Sequence, residues 1–189
     1  MKDLPVWPIR TSRLLLRPFA EADIAAAWTY RGLPTVTTWT GAYLTSYPQW
    51  VDLASRTLPN RLAITLPSGA LIGDLTLEVT DAWHQLGADP RAARGSSAEL
   101  GWAIDPAYAG RGYATEASTE AVRLAFDHIG VRRVTASAFA DNAASIRVME
   151  KIGMRHEATT RADSFHATRG WTDGAWYALL VDEWRARHG

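Results

Sequence analysis

Cysteine is absent from the 189-residue chain. That excludes disulfide staples, thiolate metal sites and a thiol nucleophile. Net charge is absent too: Lys plus Arg is 20 and Asp plus Glu is 20. Global attraction to nucleic acid or to an anionic membrane is thereby removed, and only a local patch would serve. No apolar run approaches the length of a bilayer span. The opening Met1-Lys2-Asp3-Leu4-Pro5 lacks the continuous apolar stretch of a secretory leader, so a cytoplasmic location is expected, with no membrane or nucleic-acid partner. The five histidines, at 84, 128, 156, 166 and 188, show no metal-ligand spacing, so no metal is expected. Repeats and low-complexity segments are also missing.

What is present is a well-mixed globular composition, 47% hydrophobic and 21% charged, which excludes a disordered chain. The length suits one domain over 1–189. Leu14 to Pro18 reads as a strand closed by proline, Glu21 to Thr29 as an Ala-rich helix, and Gly32 to Tyr47 as irregular. Gln49 to Leu58 reads as a helix with Trp50, Leu53 and Ala54 on one face. Arg61 to Leu66 and Leu71 to Thr80 form a hairpin across Pro67-Ser68-Gly69. Residues 81–97 make a long polar connection, either a functional flap or a flexible insertion. Ala98 to Ile104 is a strand, and Ala114 to Ile129 is a helix stopped by Gly130. Val134 to Phe139 is a strand, Ala143 to Ile152 a helix, and strands follow near Met154 to Thr160 and Ala175 to Leu180. A short helix closes the chain over Asp182 to Arg187. The fold class is α/β (α+β): one layer of sheet with helices on both faces.

The chemically informative segment is Asp105-Pro-Ala-Tyr-Ala-Gly-Arg-Gly-Tyr-Ala-Thr-Glu116. A strand ends, two glycines one residue apart turn the chain, and a helix begins. Glycines permit close backbone approach and positive φ, and a helix start presents unpaired N–H groups at its positive end. The combination is an anion site suited to phosphate, or else an ordinary tight turn. Tyr113 after Gly112 excludes a P-loop, and Thr115 at the third glycine place excludes a dinucleotide fingerprint.

Gly110-Arg-Gly-Tyr-Ala-Thr-Glu-Ala117 resembles the acyl-CoA pyrophosphate loop of the GNAT N-acetyltransferases, with Ala109 where that loop usually has Gln or Arg. Thr11-Ser-Arg-Leu-Leu-Leu-Arg-Pro18 resembles the opening strand of the ribosomal-protein N-terminal acetyltransferase (RimJ/RimL-type) branch. Glu99-Leu-Gly-Trp-Ala-Ile104 resembles the family's central strand. Asp141-Asn-Ala-Ala-Ser-Ile-Arg-Val-Met-Glu-Lys-Ile-Gly-Met154 is similar to its N-x-x-S…E-K-x-G segment. The resemblance implies a mostly antiparallel, twisted sheet of about seven strands, splayed in the middle. It implies acetyl-CoA as co-substrate. The pantetheine arm would lie along Trp102, Ala103 and Ile104, with the pyrophosphate on the amides from Gly110 through Arg111, Gly112, Tyr113 and Ala114 to Thr115. Asn142 and Ser145 would reach the pantetheine side, although an N-cap and a first-turn helix serine would use the same residues. Arg147 and Lys151, four apart on one helix, are candidates for the 3′-phosphate or else a solvated face.

The reaction so implied is acetyl transfer to a primary amine, a protein N-terminus or a small molecule, by direct attack in a ternary complex. An alkyl ammonium must lose a proton before it attacks. Glu99 is the candidate base, shared by strand alternation with Gly101 and Ala103, although a cross-strand ion pair would use the same residue. Ser145 is the candidate partner of the leaving sulfur, because Met149 stands where many relatives have tyrosine. Trp28, Tyr30, Trp39 and Tyr43, with Tyr47 and Trp50, are candidates for the acceptor wall or for core packing. His166 or Asp173 is a further candidate there. The aromatic content is compatible with a homodimer. A non-catalytic acyl-CoA-binding module of the same fold is the competing reading.

Overall fold

The computed structural model describes residues 6–188, without the side chain of His188. Its centre is one eight-stranded sheet. The strands are β1 (Ile9–Arg10), β2 (Leu15–Pro18), β3 (Arg61–Thr65), β4 (Leu71–Thr80), β5 (Ser97–Ile104), β6 (Arg133–Phe139), β7 (Arg155–His166) and β8 (Gly170–Leu180). Their order is β1-β2-β3-β4-β5-β6-β8-β7, antiparallel throughout except for the β5–β6 pair.

The sheet has one strand more than the seven expected. β1 is two residues long between Pro8 and Thr11, too short to show alternation, and it exists by pairing with β2. The last hairpin is also longer than the sequence suggests. β7 is exposed along most of its twelve residues, so no buried face writes a period into it. Register shifts fall between His156 and Ala158 and between Thr160 and Ser164.

Helices cover both faces, as expected. α1 (Asp23–Arg31), α2 (Pro34–Thr37) and α3 (Tyr47–Thr57) pack on one side around Phe19, Ile24, Tyr30, Trp50 and Ala63. α4 (Tyr113–Arg123), which runs on through a π-helical stretch Leu124–Ile129, packs on the other with α5 (Ala143–Lys151) and α6 (Val181–His188). Strand alternation divides the two cores. On β5, Ala98 and Leu100 face the α4 side, and Ala103 faces the α1 side. α3 buries Trp50 and Ala54, whose spacing of four puts them one above the other.

The decisive feature is the β5–β6 seam. Only Ser97, Ala98 and Glu99 pair with Arg133, Val134 and Thr135. β5 stays paired with β4 along its whole length, and β6 likewise with β8. The two halves of the sheet therefore part after Glu99, leaving one edge of Leu100–Ile104 free inside the molecule. An unpaired edge presents N–H and C=O groups to whatever lies beside it.

The 81–97 connection is tied at its root: the Gly95 amide donates to Asp81 Oδ1 at 2.7 Å and the Ala82 amide to the Ala93 carbonyl at 2.9 Å. Trp83 and Leu86 project from it into solvent. Among the described residues no helix is long and apolar enough to cross a membrane.

Candidate active site

The splayed seam opens into a cavity of about 410 Å³. Its wall contains Trp102, Ala103 and Ile104 of β5, Gly110, Gly112, Tyr113, Ala114 and Thr115 of the turn and α4, and Asn142, Ser145 and Arg147 at α5. The structure thus gathers every residue expected at the coenzyme except Arg111. That guanidinium folds back, donating to the Ala107 carbonyl at 3.3 Å. Lys151 and Val148 extend the α5 wall one turn further, and Tyr108 and Pro106 line the turn.

Local chemistry explains the turn. Gly110 (φ 74°) and Gly112 (φ 80°) are both left-handed, a region other residues rarely enter. A Cβ built on Gly110 would meet no atom within 4 Å, so the strand-to-helix corner is open above it. Gly112 is the N-cap of α4, whose first amides have no partner within the helix. The turn is braced from behind by Glu116. Its carboxylate accepts from the Thr11 hydroxyl at 2.6 Å, the Arg13 amide at 2.8 Å and Arg13 Nε at 2.7 Å. Arg13 Nη1 also donates to the Arg111 carbonyl at 2.9 Å, and the guanidinium lies 4.7 Å from the Tyr113 ring centroid. The sequence motif contains Glu116, but its brace to Thr11 and Arg13 spans a hundred residues and is visible only in the fold.

At α5, Asn142 is the N-cap, accepting from the Ser145 amide at 3.1 Å. Asp141 is ion-paired with Arg169 instead. Asn142 is buried and also lines the cavity, so capping and facing the cavity coincide. The Ser145 hydroxyl has no hydrogen-bond partner among the described residues. Met149 is fully enclosed in the core, away from the cavity wall.

A second cavity, about 290 Å³, lies beside the first. The two share Trp39, Thr40, Trp102 and Ser145. Ser145 therefore stands where they meet. The second wall includes Thr76 and Glu78 of β4, Gly101 of β5, Ser137 of β6, and Arg31 and Arg61.

Glu99 lies beside this cavity and is not part of its lining. It is exposed and accepts from the Ser137 hydroxyl at 3.5 Å. Its cross-strand neighbour is Glu78, which does line the cavity. The signal for Glu78 is its register, opposite Glu99 in the β4–β5 pair.

Of the four aromatic acceptor candidates, only Trp39 lines the cavities. Tyr30 belongs to the core: it is 1% exposed and its hydroxyl donates to Asp74 Oδ1 at 2.7 Å. Burial, with the Asp74 charge beside it, pushes that phenol well above its ordinary range. Trp28 packs on Tyr47 with ring centroids 5.9 Å apart, and Tyr43 faces solvent. Trp50 is buried and donates its indole N–H to the Ile24 carbonyl at 2.8 Å. His166 is a buried tether, with Nε2 3.1 Å from the Thr38 carbonyl and Nδ1 accepting from the Thr168 amide at 3.2 Å. It holds the segment that carries Trp39 and Thr40. Asp173 accepts from the Ala162 amide at 2.9 Å. Among the described residues no group of three or more His, Asp or Glu is arranged to hold a metal ion.

A strand edge freed by a splay, opening at a glycine turn into a helix, defines a class of fold, and comparison with known proteins names it. Residues 13–155 match the family model described as an acetyltransferase (GNAT) domain, and the chain belongs to that family. Among curated proteins it is 36% identical over 86 residues to the uncharacterized N-acetyltransferase YnaD of Bacillus subtilis, covering 46% of this chain and 50% of that one. The chain spans half or less of the length of the curated relatives it matches. Among solved structures, a GNAT-family acetyltransferase from Bacillus anthracis superposes with a TM-score of 0.79 at 26% identity, over 93% of this chain and 99% of that one. RimJ of Mycobacterium smegmatis, solved in complex with CoA-disulfide, superposes with a TM-score of 0.75 at 20% identity, over 94% and 90%; at that identity the likeness is one of fold.

Proposed function

We propose that this protein transfers an acetyl group from acetyl-CoA to a primary amine by direct attack in a ternary complex. One observation carries the reading: the cavity behind the Gly110–Gly112 turn meets the second cavity between Ser145 of α5 and Trp102 on the free edge of β5. The first has the shape and donors for a coenzyme, and the second has room for a small amine.

The residues divide the work. The amides at the α4 start offer the pyrophosphate unpaired donors at a positive helix end. Arg147 and Lys151, one turn apart on the cavity wall, supply cations for a further phosphate. The free edge of β5 at Trp102 to Ile104 can pair with the amide groups of an extended arm as an added strand would. Acetyl-CoA, when bound, supplies an activated acyl thioester at the junction.

There the ammonium must lose a proton before its nitrogen attacks. The Glu78–Glu99 pair is the nearest carboxylate chemistry, with Glu78 in the cavity wall; it accepts the ammonium proton through water. Negative charge develops on the carbonyl oxygen as nitrogen attacks, and an unpaired β5 amide meets it. As the C–N bond forms and the C–S bond breaks, the nitrogen gives up one proton, which leaves with the sulfur as the free thiol of coenzyme A; the Ser145 hydroxyl, free of other partners, hydrogen-bonds that departing sulfur. With no cysteine in the chain, the acetyl group has no thiol on the protein to visit on the way.

The test is titration calorimetry with coenzyme A and acetyl-CoA, followed by thiol release across a panel of amines. Coenzyme binding with turnover is expected. Glu78→Gln and Glu99→Gln should each lower kcat/KM, by about 10²-fold for the residue that takes the proton, and should make the rate climb more steeply with pH, because only amine already free of its proton then reacts. Absence of coenzyme binding removes the proposal. Binding without turnover of any amine favours an acyl-CoA-binding module. An unchanged pH profile in both glutamine variants removes the base assignment.

A further inference from the structure

We propose that the acceptor is an amine carrying a carboxylate, an amino acid or a close analogue, held through that carboxylate by Arg31 and Arg61. The inference rests on the acetyl-transfer reading and assigns the second cavity its ligand class.

Both arginines line that cavity although they are 7% and 3% exposed. They share one fully buried counter-ion, Asp74, with the Tyr30 hydroxyl as its fourth donor. Oδ1 accepts from Tyr30 and Arg31 Nε, and Oδ2 accepts from Arg31 Nη2 and Arg61 Nη1. Four donors saturate a carboxylate. Asp74 can neutralise one guanidinium, so one positive charge in this wall is unbalanced. Arg61 turns Nε and Nη2 to the neutral Thr57 hydroxyl, at 3.1 and 2.8 Å. Arg31 Nη1 makes no hydrogen bond among the described residues.

The Trp50 ring lies beside both cations, with its centroid 5.4 Å from the Arg31 guanidinium carbon and 5.1 Å from that of Arg61. A ring face softens a buried cation but does not neutralise it. Burial pushes the Arg61 guanidinium below its ordinary range, with Asp74 opposing that shift and Arg31 adding to it. The surplus charge calls for an anion from outside, and a guanidinium is shaped for a carboxylate.

The other end of the cavity carries the opposite sign. Glu78 lies two residues along β4 from Thr76, which pairs with Arg61. At about 3.4 Å per residue, Glu78 is roughly 7 Å further along the strand. The guanidinium ends reach back to Asp74, four residues along β4 from Glu78, so cations and carboxylate stand between roughly 7 and 14 Å apart along the strand, which complements a zwitterion with well-separated charges. Counting Asp74, the four charges sum to zero. A polyamine would find two arginines in the wall against Glu78, with Glu99 beside it.

The test compares initial rates of thiol release for α-, β- and γ-amino acids, their carboxamides and spermidine. The expected result is at least one amino acid with kcat/KM tenfold or more above its carboxamide and above spermidine. Arg31→Lys, checked for an intact fold by circular dichroism, should bring that ratio toward one by raising KM. Equal or faster turnover of carboxamides or spermidine overturns the assignment while leaving acetyl transfer intact. If no amine turns over, calorimetry on the coenzyme A-loaded protein decides: heat with an amino acid that vanishes for its carboxamide supports the assignment, and no heat with any amino acid overturns it. Failure to bind coenzyme A at all would instead strike the acetyl-transfer reading.

Discussion

Ser118 lies on the inner face of α4, fully buried, and its hydroxyl is the one buried side-chain polar atom among the described residues without a hydrogen-bond partner. Enclosing a hydroxyl without a partner costs stability, and removing it returns that cost. Ser118→Ala should therefore stabilise the protein by about 1 kcal/mol, read as a higher midpoint in urea with unchanged slope. A lower midpoint would mean that the hydroxyl has a partner in solution. At this scale the sequence was informative where chemistry is local. Gly110, Gly112 and Asn142 could be identified because left-handed turns and N-caps select residue types. Tyr30 and Trp39 could not be sorted, because a wall aromatic and a core aromatic are the same residue. Asp74 decides the first and the junction of two cavities the second.

At the scale of elements, the start of α4 depends on the strand that opens the fold. Burial alone would raise the Glu116 carboxyl. The Thr11 hydroxyl, the Arg13 amide and the Arg13 guanidinium more than offset it and hold the group below the usual carboxylate range. A depressed carboxylate contributes stability above its ordinary titration range and loses it as pH falls through the lowered value. Arg13 is half exposed, so solvent screens the ion pair and the contribution is about 1 kcal/mol. Glu116→Gln should weaken coenzyme A binding several-fold at neutral pH and remove part of the acid-side loss of stability. Calorimetry and urea midpoints at pH 7 and pH 3 measure both. An unaltered affinity would show that the glycine turn holds its shape without the brace. Helix extents were legible where one face is buried, as in α5, and the extent of β4 where a turn bounds it. They were not legible in β1, two residues long, or in β7, whose exposed length carries no period.

On the scale of the whole molecule, two cores lie on opposite faces of one sheet, and the cavities lie at the break between β5 and β6. Trp50 joins these features, filling the α1–α3 core while standing beside both cavity arginines. Trp50→Ala should cost about 3–5 kcal/mol, a large share of a domain's stability, and thermal unfolding followed by circular dichroism would register it as a drop of roughly 10 °C or more. A small drop would show that α1, α2 and α3 are only loosely coupled to the sheet. The sequence by itself determined what depends on neighbours in the chain: most of the order of strands and helices, though not β1 or the short α2 inside the stretch read as irregular, the alternation that puts Glu99, Gly101 and Ala103 on one face, and the glycine turn at a helix start. Only the tertiary structure decided what depends on distant partners. It set where β5 and β6 part, gave Glu78 a place in the cavity wall, and left Arg31 and Arg61 to share a single aspartate. The physical reason is range: backbone preference acts over a few residues, whereas pairing register and charge balance are fixed by groups that meet only after the sheet has closed around its cores.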